Sequence, residues 1–100
     1  MKLIPITHPG ILLKEDFLDD LNIKPGTLAR AIGVDRAAIK RLTEGKRDIT
    51  AEMSLRLGVF FGMSSGFWFG LQNKYDMRMA EVHKEDEIKS IVTPMKEIAA

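Results

Sequence analysis

One hundred residues suffice for one domain with one core, and not for two. With 45% apolar residues the composition is globular, and with no cysteine the chain can hold neither a disulfide nor a thiolate metal site. The net charge of +1 excludes a uniformly basic nucleic-acid coat. The absence of cysteine is compatible with a reducing cytoplasm. The proline-broken start MKLIPITHPG lacks the apolar core of a signal peptide, and no apolar run approaches a bilayer span, so a soluble protein is expected. The charge is unevenly spread. Residues 1–20 set Lys2 and Lys14 against Glu15, Asp16, Asp19 and Asp20. Residues 21–50 set Lys24, Arg30, Arg36, Lys40, Arg41, Lys46 and Arg47 against only Asp35, Glu44 and Asp48, which points to an anionic partner on one face.

The predicted elements are all helices. His8-Pro9-Gly10 opens the first, with Ile11, Leu12, Phe17, Leu18 and Leu21 at helical spacing, and Asn22 to Gly26 breaks it. A second helix carries Leu28, Ala29 and Ile32 and stops at Gly33. Asp35 is expected to cap a third, with its carboxylate accepting first-turn N–H groups; Ile39 and Leu42 are its apolar positions and Gly45 its end. Thr50 caps a fourth, with Met53, Leu57, Phe60 and Phe61 on a wide apolar stripe, and Gly58 inside it hints at close packing. Ser64 or Ser65 should start a fifth, running through Phe67, Trp68, Leu71, Tyr75 and Met79 to His83. Glu85-Asp86-Glu87 reads as a solvated turn, and Ile88, Ile91 and Val92 as a short helix or strand before Pro94. The expected fold is an all-α bundle of five helices, with residues 1–83 as one domain and 84–100 as a C-terminal extension read as a dimer or partner contact.

The decisive segment is PGTLARAIGVDRAAIKRLTE, Pro25 to Glu44. Two short helices crossing at a tight turn need a small residue where they touch, which is Ala29. The turn needs a residue tolerant of positive φ, which is Gly33. Val34, Ile39 and Leu42 then lock the second helix onto the bundle. Subtracting Ile39 and Leu42 leaves Arg36, Ala37, Lys40 and Arg41 facing outward. A helix fits the major groove, where arginine or lysine can donate to guanine O6 and N7 and a small alanine can touch a thymine methyl. Lys46 and Arg47, just past the helix end, would meet phosphates. Thr27, at the start of the second helix, could bond another phosphate beside the helix N–H groups.

Other residues carry less. His8 and His83 have no metal-ligand spacing, and Asp16, Asp19 and Asp20 lack the EF-hand pattern and read as a solvated face. Ser54, Ser64, Ser65 and Ser90 have no nucleophile context, there is no glycine-rich phosphate loop, and no acid–base pair emerges. No catalytic residue, cofactor or metal is expected. Met53, Met63, Met77 and Met79 read as core or interface filler. Phe67, Trp68 and Phe69 are consecutive and about 100° apart on a helix, so they cannot share one core; they are read as a dimer or partner interface. A dimer suits DNA reading, because one short helix contacts few bases and two half-sites lie about 34 Å apart.

On these residues the chain resembles the HigA-type, VapI-like antitoxins of the Xre/Cro helix-turn-helix group. The resemblance rests on His8-Pro9-Gly10, Leu28-Ala29, Ile32-Gly33-Val34, Gly45-Lys46-Arg47, Ile49-Thr50, Leu55-Arg56-Leu57, Phe61-Gly62, Phe67-Trp68, Leu71-Gln72 and Tyr75-Asp76, spanning about residues 8–80. The chain departs from the usual pattern at Ser65-Gly66, where proline then glutamate is common. It departs again at Ser54 and Gly58, where small alanines are common. The resemblance implies a lambda-repressor-like helix-turn-helix fold with residues 1–83 as its DNA-binding domain, and a bacterial, cytoplasmic, dimeric repressor of its own operon. It would bind double-stranded DNA at a palindromic operator and neutralise a RelE-like, ribosome-dependent mRNA endonuclease. Arg36, Ala37, Lys40 and Arg41 would face bases, and Lys46 a phosphate. The competing readings are a stand-alone regulator without a toxin, and an interaction module that has lost DNA binding.

Overall fold

The computed structural model describes residues 7–99. The apolar start over residues 1–6, and Lys2 within it, lie outside the described residues, as does Ala100. The five expected helices are present in order, and the described residues contain no strand. Helix α1 (Pro9–Leu12) runs directly into a π-helical stretch, Leu13–Asp19. Then follow α2 (Pro25–Ile32), α3 (Arg36–Thr43), α4 (Ala51–Phe61), α5 (Phe67–Ile91) and a short α6 (Met95–Ala99).

The ends of these helices follow from local chemistry. His8 Nδ1 accepts from the Gly10 N–H at 2.9 Å, and Pro9 sits where its missing N–H costs nothing. Thr50 accepts from the Met53 N–H at 3.1 Å, as its position predicts. Gly33 ends α2 with φ 74°, and the Val34 N–H returns to the Ala29 carbonyl at 3.0 Å. Gly45 ends α3 in the same way: its N–H bonds the Leu42 carbonyl at 3.1 Å and the Lys46 N–H bonds the Arg41 carbonyl at 2.9 Å. These three bonds satisfy carbonyls that a helix end would otherwise leave open. Asp35 differs from expectation. It occupies the N-cap position of α3, but its side chain makes no cap hydrogen bond; the carboxylate is exposed to water instead.

The core gathers Leu13, Leu18, Leu28, Ala29, Ile32, Ile39, Leu42, Ile49, Met53, Leu57 and Trp68. The π-helical turn suits it, because i→i+5 winding brings Leu13 and Leu18 to the same side, both buried. Trp68 is fully buried, edge-on to Phe17 at 4.9 Å between ring centroids and 6.0 Å from Phe61. Helix α1 meets α3 backbone to backbone. A Cβ on Gly10 would collide with the Leu42 carbonyl, so glycine is required there.

Three polar clamps tie the helices together. Gln72, buried on α5, accepts from the Ile49 N–H at 2.8 Å and donates to Asp76 at 2.9 Å and Asp48 at 3.3 Å. Arg56 Nη1 on α4 donates to the Ile32 carbonyl at 2.6 Å, capping α2 from outside. Ser54 Oγ donates to the Ser65 carbonyl at 2.6 Å and accepts from the Phe69 N–H at 3.0 Å. The start of α5 therefore also differs from expectation. Neither Ser64 nor Ser65 caps it; Gly66 holds the cap position and Ser54 of α4 supplies the hydroxyl. Gly58 admits the same chain segment, since a Cβ there would lie 3.1 Å from the Ser64 carbonyl oxygen and 3.2 Å from that of Met63.

Helix α5 does not break at Glu85-Asp86-Glu87, which corrects the expected turn. Lys89 pairs with Glu85 at 2.9 Å and Lys84 with Glu87 at 3.4 Å, the i,i+4 and i,i+3 spacings that support a helix. That bond and charge from Glu85 raise the Lys89 pKa. The helix is about 37 Å long at 1.5 Å per residue and crosses the expected boundary at residue 83. It accounts for extents of 58 × 25 × 22 Å and a radius of gyration of 17.4 Å, against about 13 Å for a compact domain of this length.

Two substitutions test this packing. Gly10→Ala should cost about 3 kcal/mol or more, because the collision is with backbone. Gly70→Ala, where a Cβ meets nothing within 4 Å, should gain about 0.5–1 kcal/mol from helix propensity. Thermal unfolding reads both, and similar melting temperatures would refute the close approach of α1 to α3. Gln72→Leu should cost about 1–3 kcal/mol in denaturant titration, the penalty for leaving the buried Ile49 N–H unbonded; an unchanged midpoint would contradict the clamp.

Candidate nucleic-acid interface

Helices α2 and α3 with the Gly33 turn form the helix-turn-helix. Ala29 is buried where the two helices touch, and Ile39 and Leu42 are fully buried beneath α3. The opposite side of α3 presents Arg36, Ala37, Lys40 and Arg41, all exposed. Ala38 and Thr43 complete the inner side, and the Thr43 hydroxyl donates back to the Ile39 carbonyl at 2.9 Å. Arg36, Lys40, Arg41 and Arg47 make no ion pair with any described residue. Elsewhere Lys14 pairs with Asp19 at 3.0 Å and Arg56 with Glu52 at 3.7 Å. The cations of α3 thus keep their full charge for an external anion.

The flanking residues take their places from the helix ends. Lys46 is exposed, with its backbone fixed by the bond to Arg41, and only a loose approach of 4.0 Å to Glu44 engages its ammonium. Arg47 beside it is half-buried. Gln72 holds the next two residues, Asp48 and Ile49, against α5. Thr27 is exposed in the first turn of α2, a helix whose N-cap Lys24 offers no side-chain bond to the free N–H groups. The structure brings Thr27, Arg36, Ala37, Lys40 and Arg41 to the surface of the two crossed helices, with Lys46 and Arg47 following α3.

The aromatic triplet is corrected in one member. Trp68, read with Phe67 and Phe69 as interface, lies at 0% exposure in the core, so it cannot meet a partner. Phe67 at 37% and Phe69 at 38% remain at the surface on either side of it. Sequence reasoning missed Gln72, Arg56 and Ser54 as positioning residues. The first two lay within quoted motifs but carried no stated role. Their signal was polarity at positions where helix periodicity asks for burial. Among the described residues no group of three or more His, Asp or Glu could hold a metal ion, and no helix is long and apolar enough to cross a membrane.

No protein-family model matches the chain, but individual proteins do. Virulence-associated protein I of Dichelobacter nodosus is 35% identical over 82 residues, 82% of this chain and 76% of the relative. An uncharacterized HTH-type transcriptional regulator of Escherichia coli K12 is 36% identical over 81% of this chain and 85% of its own. The solved structure of Pseudomonas aeruginosa antitoxin HigA with the higBA promoter superposes with a TM-score of 0.84 at 35% identity, covering 91% of this chain and 98% of the other. With the helix-turn-helix, the packing behind it and this likeness over most of both chains, the protein belongs to the HigA-type, VapI-like family of non-enzymatic helix-turn-helix antitoxins.

Proposed function

We propose that the chain is a dimeric antitoxin that binds a palindromic operator, represses its own operon and neutralises a small RelE-like mRNA endonuclease in the bacterial cytoplasm. The observation that carries the DNA reading is the set of exposed, unpaired cations Arg36, Lys40 and Arg41 on a helix buttressed from behind by Ile39 and Leu42. The relative from Pseudomonas aeruginosa, solved with promoter DNA, supports it. In this reading α3 lies in the major groove with Arg36 and Lys40 donating to base edges and Ala37 against them. Arg41 also faces the bases, Lys46 and Arg47 neutralise phosphates, and Thr27 bonds another beside the N-terminus of α2.

The dimer follows from length. Eight residues make a helix about 12 Å long, which reads only a few base pairs, so two copies are needed for a specific site. Phe67 and Phe69 supply apolar surface for that contact, and the extension beyond residue 83 supplies more through Ile88, Ile91 and Val92, all exposed. The same surface, or the rest of α5, is available to the toxin. The likeness to a transcriptional regulator from Escherichia coli favours a second reading, a repressor with no toxin.

Arg36→Ala or Lys40→Ala should relax preference at one base position at a cost of about 1–3 kcal/mol. Lys46→Ala should weaken all duplexes alike and reduce the slope of log affinity against log salt by about 0.9. Titration of specific and scrambled duplexes at several salt concentrations separates the two. Equal losses on every sequence for Arg36→Ala would contradict base reading. Co-expression with the neighbouring reading frame should yield a stable complex and relieve growth arrest by that product. Failure of both, with DNA binding intact, would favour the stand-alone repressor.

A further inference from the structure

Resting on the operator-binding reading, we infer that the notch between Pro25 and the N-terminal half of α3 seats the 5-methyl group of a thymine, making Ala37 and Pro25 determinants of operator sequence. The notch has a volume of about 360 Å³ and is lined by Pro25, Arg36, Ala37 and Lys40. Pro25 and Ala37 are exposed and serve no part of the core. Neither has a polar side-chain atom, so they offer an apolar occupant carbon surface and give a polar one no hydrogen bond.

The walls are built by what α2 lacks. Arg36 lies across Gly26: a Cβ there would sit 3.5 Å from Arg36 Nε and 3.7 Å from its Cζ. Arg36 thus lies against the first turn of α2, and the exposed methyl of Ala37 shares the notch with the Arg36 and Lys40 side chains. No carboxylate lines the notch, whereas Arg36 and Lys40 do. The walls therefore favour an apolar group that sits beside hydrogen-bond acceptors. Among base edges in the major groove only thymine offers that combination, a C5 methyl next to the O4 acceptor. Cytosine lacks the methyl and would turn an amino donor toward the two cations, which discriminates against it on both counts.

The test uses the full chain and a duplex selected from a random pool, resynthesised with deoxyuridine in place of each thymine in turn. One thymine per half-site should matter, with affinity falling three- to fivefold when its methyl is removed, the worth of one buried methyl. Ala37→Gln replaces the apolar wall of the notch by a polar side chain, and with a good helix former at an exposed position the fold should survive. The thermal melting of the free protein checks the fold, and whatever duplex affinity the variant has should show no difference between thymine and uracil. Sequence-selective binding with no thymine sensitive to its methyl would overturn this inference and leave operator binding standing. So would a difference that persists in Ala37→Gln. A pool from which no preferred duplex emerges would overturn both.

Discussion

The bare Cα of Gly10 against the Leu42 carbonyl is the contact on which the display of α3 depends. An eight-residue helix in water is not stable by itself, and α3 spends its exposed side on cations that add nothing to folding. Its stability comes from the side it buries. Ile39 and Leu42 enter the core, α1 closes on its C-terminal end at glycine, and the Gly45 turn ties off the last carbonyls. His8 contributes by capping α1 and packing edge-on to Tyr75 at 5.0 Å, which joins α1 to α5 at the same corner. The reading helix is held from three directions, and its outer face is left free.

The polar clamps extend this logic to the rest of the motif. Arg56 reaches from α4 to the end of α2, so the helix-turn-helix crossing is anchored at the turn as well as beneath α3. Gln72 bonds the chain just after Lys46 and Arg47, holding the basic loop to the scaffold of α5. Gln72 is buried with both amide atoms bonded, and it fixes one geometry where apolar packing would tolerate several. Ser54 and Gly58, where the family commonly has alanine, act together with Ser65-Gly66. The loop approaches α4 at Gly58, and the Ser54 hydroxyl supplies the first-turn bond that the loop itself does not.

Much of this was legible in the chain because it is local chemistry. Gly33, Gly45 and Thr50 announce helix ends by backbone tolerance and capping. Ile39 and Leu42 announce a buried face by spacing, and what remained of α3 was its exposed face. The failures have two causes: for the cap of α5 and for Trp68 the deciding partner lies far away in sequence, and for Asp35 and the acidic run at Glu85 two local arrangements compete. Asp35 has the right residue type and position for a cap, but side-chain rotation to water competes. The cap of α5 comes from Ser54, on another helix. The aromatic triplet could be split between inside and outside by geometry, but only the packing of Phe17 and Phe61 shows that Trp68 is the inner one. Glu85-Asp86-Glu87 looked like a turn because acidic runs are often solvated, whereas Lys84 and Lys89 neutralise it at helical spacing. Nothing in the periodicity signalled the π-helical winding at Leu13–Asp19.

Every role proposed for α3 requires it to enter the major groove with its cations toward bases and phosphate. Dimethyl sulfate footprinting on the protein's upstream DNA tests it most directly, since methylation of guanine N7 reports the major groove and that of adenine N3 the minor. Guanine N7 should be protected in two clusters on one face of the duplex, about 34 Å apart, with the protection lost when Arg36 and Lys40 are both replaced by alanine. Protection confined to adenine N3, or clusters that survive the double replacement, would contradict it.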